Sequence, residues 1–140
     1  MTIKEIQEEI IDEFSMFDDW MERYEYIIEL GKSLPLIDET FKKDENLIVG
    51  CQSKVWLHSE IKDQKINFTA DSDAILTKGI VAILLRIFNE QTPAAILDAD
   101  LFFIDQVGLK EHLSPTRANG LVSMIKQIKL YALAFQSKLS

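Results

Sequence analysis

The chain holds one cysteine, two histidines, three prolines and only 15 basic side chains against 23 acidic ones. Each shortage removes a class of function. The single thiol, Cys51, forms no internal disulfide, and without a second cysteine there is no Cys-x-x-Cys pair, which excludes thioredoxin-type exchange. Zinc takes about four ligands. Cys51, His58 and His112 stand at no metal-type spacing, and each histidine reads as a surface or hydrogen-bonding residue. A papain-like nucleophile needs a histidine base delivered by the fold, and no local signature supports one.

The deficit of basic residues is uneven. Residues 1–50 carry 14 acidic and 5 basic side chains, whereas residues 51–140 carry 9 and 10. The acid therefore lies on the N-terminal, helix-like segments, either as a solvated face or as a surface for a basic partner. A phosphate backbone calls for a basic stripe, so nucleic acid is not an expected partner. The most apolar run, Ile80–Leu85, is bracketed by Lys78 and Arg86 and is far shorter than a membrane span. Met1-Thr2-Ile3-Lys4-Glu5 mixes charged and apolar groups, unlike a signal or transit peptide. An unpaired thiol fits a reducing cytoplasm. A length of 140 residues with 47% apolar side chains suits one ordered domain over residues 1–140.

Periodicity predicts helices at both ends and strands between them. Thr2 and Glu5 form a capping-box pattern, and Ile3, Ile6, Ile10, Phe14 and Phe17 recur at helical spacing. Asp18 and Asp19 suit the start of a second helix, with Trp20, Tyr24, Ile27 and Ile28 inward and Gly31 near its end. Asp38–Asn46 reads as an exposed connection. A short strand is then expected at Leu47–Val49. A hairpin should follow, with Val55, Leu57 and Ile61 on one face, a turn at Lys62-Asp63-Gln64, and Ile66, Phe68 and Ala70 alternating after it. Such a sheet of about three strands needs a cover. Asp71-Ser72-Asp73 offers caps for a buried central helix from Ala74 to Asn89, carrying Ile75, Ile80, Ile83, Leu84, Ile87 and Phe88. Thr92-Pro93 and Ser114-Pro115 place a cap before proline and start two further helices. The last has an inward stripe of Leu121, Ile125, Ile128, Ala132 and Phe135.

Cys51 sits in Gly50-Cys51-Gln52-Ser53, a small polar break between two apolar segments. Buried cysteines are commonly inert packing residues, but glycine lets a chain turn sharply and brings its neighbour to a partner. Gln52 and Ser53 are candidate donors to sulfur, or simple turn formers. Val49, Val55 and Trp56 crowd the loop and should shelter the thiol. Asp73 reads as a helix cap. Arg117 falls in the first turn of the last helix, against the local dipole, a mild conflict that fits a job elsewhere or a solvated side chain.

Three blocks together resemble the SufE family: Tyr26-Ile27-Ile28-Glu29-Leu30-Gly31-Lys32-Ser33-Leu34-Pro35, Val49-Gly50-Cys51-Gln52-Ser53-Lys54-Val55-Trp56, and His112-Leu113-Ser114-Pro115-Thr116-Arg117-Ala118-Asn119-Gly120-Leu121. The resemblance implies an α+β fold, a three-stranded antiparallel sheet packed against helices, shared with IscU-type scaffolds. Those scaffolds use three cysteines, and only the position of Cys51 is filled here. It also implies a sulfur acceptor and carrier: Cys51 takes persulfide sulfur from a SufS-like cysteine desulfurase, stimulates it, and delivers sulfur to a SufBCD-like cluster scaffold. Gly50, Gln52, Ser53, Asp73 and Arg117 would serve the loop or docking. The resemblance implies no cofactor for this chain, since pyridoxal phosphate belongs to the desulfurase, and no stand-alone enzyme activity. A monomer and a homodimer both fit. A redox-sensing thiol protein and a non-catalytic adaptor stay open as alternatives.

Overall fold

The computed structural model describes residues 1–139. Helix α1, Ile3–Phe14, starts at a complete capping box: Thr2 Oγ1 accepts from Glu5 N at 3.1 Å, and the Glu5 carboxylate accepts from Thr2 N at 2.9 Å. It ends a turn earlier than the apolar spacing predicts. Phe17 lies beyond it and packs on the Tyr26 ring, 4.9 Å between centroids. Helix α2, Trp20–Leu30, is capped by Asp19, whose Oδ1 accepts from Glu22 N at 2.9 Å. Ile27 is fully buried while Ile28, expected inward, faces solvent. Successive helical side chains diverge by about 100°, and α2 turns Ile27 toward the next helix layer.

Strands β1, Val55–Lys62, and β2, Lys65–Ser72, pair antiparallel with Leu57 opposite Ala70 and Ile61 opposite Ile66. Asp63 and Gln64 both have positive φ, 53° and 66°, the signature of a two-residue turn that matches strand twist. Among the described residues the sheet has two strands, not the expected three. Leu47–Val49 contributes a single bridge, Leu47 to Trp56, with Ile48 N donating to Val55 O at 2.9 Å. The turn Asp44–Asn46 ends just before it and Gly50 turns the chain just after it, so a ladder has no room to grow. The other edge is closed by Leu36, bridged to Ala70 in parallel, with Ala70 N donating to Pro35 O at 3.0 Å. Both edges thereby satisfy part of their backbone groups.

Helix α3, Ile75–Phe88, is the predicted central helix: ten of its 14 residues are buried, and it packs against α2, β2 and α1. Its start differs from expectation. Asp71 and Ser72 end β2, Ala74 stands at the cap with no side-chain bond, and Ile75 is exposed. The carboxylate of Asp71 is engaged by Lys42 at 3.0 Å and Lys78 at 3.4 Å, and so is not free to cap. The α2–α3 crossing is close because glycine stands at the contact, Gly79 within α3 and Gly31 just past the end of α2. A Cβ on Gly79 would lie 2.1 Å from Ile27 O, and one on Gly31 would lie 3.1 Å from Gly79 N. Arg86 of α3 ties back to Glu13 and Glu9 of α1. Those hydrogen bonds from Arg86, with one from Tyr26, hold the Glu13 carboxyl below the usual range.

Helix α4, Pro93–Asp98, begins as predicted, with Thr92 Oγ1 accepting from Ala95 N at 3.2 Å. Two one-turn helices follow that periodicity does not reveal: α5, Phe103–Gln106, and α6, Leu109–His112. The buried Gln7 of α1 holds this region, donating to Asp100 O at 3.0 Å and accepting from Phe103 N at 3.1 Å. Helix α7, Pro115–Leu139, is capped by Ser114, whose Oγ accepts from Arg117 N at 3.3 Å. Leu121, Ile128 and Ala132 are buried as expected, joined by Met124, while Ile125 and Phe135 are half-buried.

Candidate functional site

The loop bearing Cys51 runs from the Leu47 bridge to the start of β1, and it is fixed at both ends. Gly50 has φ of 99°, where a side chain is rarely accommodated. A Cβ there would also come within 2.4 Å of Ser123 Oγ on α7. Conformation and space therefore both call for glycine. At the other end Asp73 Oδ1 accepts from Lys54 N at 3.0 Å, and Asp73 N donates to Lys54 O at 3.3 Å. Asp73 is thus a clasp between the loop and the β2–α3 junction, not the cap of α3. The loop lies over the first turns of α7. Cys51 Sγ donates a long, weak hydrogen bond to Gly120 O at 3.7 Å, and a Cβ on Gly120 would lie 3.7 Å from the sulfur.

The thiol is half-buried, though not by all of the residues expected. Val49 points into solvent at 91% exposure. The shelter comes from α3 and α7 instead: Ile80, Thr77, Gly120 and Met124 close a cavity of about 10 Å³ against Cys51, room for about one water-sized group. Burial pushes the Cys51 thiol above its ordinary value. Since the thiolate is the nucleophile, the free protein keeps this sulfur protonated at neutral pH. Alkylation by iodoacetamide should therefore rise with pH along a curve whose midpoint lies above that of a small-molecule thiol. A midpoint at or below it would contradict the burial.

Gln52, Ser53, Thr116 and Arg117 border the same cavity. Among the described residues none of their side chains makes a hydrogen bond, and Gln52, Thr116 and Arg117 are exposed. The structure thus brings together five of the six residues singled out in the sequence, Gly50 through Ser53 and Arg117, with Asp73 fastening their loop. Thr77, Thr116 and Ser123 escape sequence reasoning. The available signal for Thr77 was that it carries the lone hydroxyl of α3. Neither histidine borders the cavity. His58 stacks on Phe41, 3.8 Å between centroids, and approaches Glu60 at 3.3 Å. His112 stacks on Trp20 at 3.9 Å and its Nδ1 faces Gly108 O at 3.0 Å. Among the described residues no group of three His, Cys, Asp or Glu side chains stands ready for a metal ion, and no helix is long and apolar enough to cross a membrane.

The geometry is that of a sheltered single thiol ringed by polar groups whose hydrogen-bonding capacity is unused. Comparison with known proteins gives this arrangement a family. An uncharacterized SufE-like protein of Rhizobium meliloti is 45% identical over 127 residues, covering 87% of this chain and 91% of that protein. A second, from Rhizobium etli, is 42% identical over 127 residues, covering 87% and 86%. The solution structure of a hypothetical protein from Thermus thermophilus superposes with a TM-score of 0.78 over 94% of this chain and 96% of that one; at 16% identity this speaks for the fold alone. The SufE model, described as an Fe-S metabolism associated domain, matches residues 8–132, a span that includes the whole cysteine loop and the α7 turn beneath it, and the chain belongs to the SufE family.

Proposed function

We propose that this protein is a sulfur carrier: Cys51 accepts persulfide sulfur from a SufS-like, pyridoxal-phosphate-dependent cysteine desulfurase and passes it to a SufBCD-like scaffold for iron–sulfur cluster assembly in the cytoplasm. The observation that carries the reading is the half-buried lone thiol faced by hydrogen-bonding groups with no partner of their own. In the transfer, the Cys51 thiolate bonds to the outer sulfur of the donor persulfide while the donor's S–S bond breaks. The donor sulfur leaves as a thiolate and takes up the proton that Cys51 gave up. No external oxidant or reductant enters, because the outer sulfur moves between two thiols at constant oxidation level.

Burial suits such a carrier at rest, since a protonated, enclosed sulfur reacts slowly with passing electrophiles. Docking must then open the loop and deprotonate the thiol. Val49 and Ile75, both exposed and flanking the loop and its clasp, give a partner apolar surface to press on. Adding the protein to a matched desulfurase with L-cysteine should raise enzyme turnover; no change in turnover would remove the proposal. A redox-sensing role fits less well, because sensor thiols are accessible and acidic, whereas burial raises this one.

Arg117 gives a separate test. Its guanidinium is exposed, borders the cavity and has no hydrogen-bond or ion-pair partner among the described residues. Arg117→Ala should therefore shift stability by no more than about 0.5 kcal/mol while weakening desulfurase stimulation. Melting and turnover measured on the one variant decide it. Full stimulation would reduce Arg117 to a solvated side chain, and a lowered melting midpoint would make it structural.

A further inference from the structure

Thr77 is the one hydroxyl among the buried residues of α3, at 5% exposure. A threonine within a helix commonly returns its hydroxyl to a carbonyl three or four residues back. This one sits in the first turn and makes no hydrogen bond among the described residues. No fully enclosed side-chain oxygen or nitrogen is left without a partner among those residues, so the Thr77 hydroxyl retains contact with open space. The space Thr77 lines is the cavity under Cys51, shared with Ile80 and Met124. The Thr77 hydroxyl therefore has a hydrogen bond to give with no protein partner taking it, and that capacity is open to a ligand in this cavity.

We propose that Thr77 is the binding residue for the transferred sulfur, its hydroxyl donating a hydrogen bond to the outer sulfur of the Cys51 persulfide inside this cavity. The inference rests on the carrier reading of Cys51. The outer sulfur is an anion once its proton is lost, and an anion against Ile80 and Met124 needs a donor. Thr77 supplies it from the inner wall, whereas Gln52, Thr116 and Arg117 stand at the exposed mouth. The cavity is small, which favours a single outer sulfur over a polysulfide chain. The hydrogen bond draws the sulfur away from the mouth and favours its anionic form, which repels incoming thiolates and cyanide. Thr77 keeps its proton throughout, so release requires only that the hydrogen bond break.

The test compares wild type, Thr77→Val, which keeps the shape and removes the hydroxyl, and Thr77→Ser, which keeps the hydroxyl and removes the methyl. Each is loaded with a desulfurase and L-cysteine, freed of small molecules, and exposed to cyanide. Cyanide takes the outer sulfur as thiocyanate and returns Cys51 to its thiolate. Thr77→Val should lose sulfur about tenfold faster than wild type, the loss expected for one hydrogen bond to an anion, and Thr77→Ser should stay close to wild type. Thr77→Ala, also without the hydroxyl, should behave like Thr77→Val and serves if the valine variant folds poorly. Equal rates for wild type and Thr77→Val would overturn the inference, as would a serine variant as labile as the valine one, which would assign the protection to packing. If wild type itself acquires no cyanide-labile sulfur, the carrier reading fails first. If all variants load and decay alike, only Thr77 loses its role.

Discussion

Cys51→Ser is expected to keep the fold and lose every trace of sulfur acceptance. Among the described residues the sulfur's one hydrogen bond is the 3.7 Å contact to Gly120 O, and serine fits the same space, so stability should change by no more than about 1 kcal/mol. The chemistry has no such tolerance. A serine hydroxyl forms no bond to sulfur under these conditions, and no second cysteine exists to take its place. A matched desulfurase assayed with L-cysteine should return to the rate it shows alone. Stimulation equal to that of wild type would instead mark the protein as an adaptor in which Cys51 only packs. The variant thus separates the two classes by turnover, with the melting curve as the control for folding.

Gly79→Ala should strongly destabilise the packing of α2 on α3. In an isolated helix the change would help, since alanine is favoured over glycine by about 1 kcal/mol. Here the new Cβ would meet the carbonyl oxygen of Ile27 at 2.1 Å and its carbon at 2.7 Å. Both are backbone atoms, which cannot rotate away, so α2 must move as a body. Overpacking of this kind costs about 3 kcal/mol, enough to lower the melting midpoint by roughly 10 °C in a domain of this size. Because α3 also carries Thr77 and Ile80, two walls of the cavity, Cys51 should become easier to alkylate in the same variant. An unchanged or raised midpoint would mean that helix propensity prevails and that the α2–α3 contact is looser than described.

What was readable in the sequence and what was not follows from the range of the interactions. Caps act within three residues, so Thr2 with Glu5, Asp19 with Glu22, and Thr92 with Ala95 all form as local pattern dictates. The buried run of α3 and the stripe of α7 were legible because helical period alone selects them. The strand count was not. Whether Leu47–Val49 becomes a strand depends on the turn before it and on Gly50 meeting Ser123, a residue far along the chain. Asp73 misled for the same reason: it looks like a cap, and its partner is Lys54 across the loop. Helices α5 and α6 are too short to show a period. At the site, Gly50-Cys51-Gln52-Ser53 was visible as a motif, but what shelters the thiol was not, because Ile80, Met124 and Gly120 arrive from two separate helices. Val49, its neighbour in sequence, was the natural choice and points away.

The most direct test of the carrier role is to locate the sulfur. The protein is incubated with a matched desulfurase and L-cysteine bearing isotopically labelled sulfur, then alkylated to trap persulfides, digested and analysed by mass spectrometry. The carrier role predicts the label on the peptide containing Cys51, as an added sulfur that thiol reductants remove. Label found on any other residue, or a Cys51 peptide recovered only as the unmodified thiol while the desulfurase turns over, would contradict it.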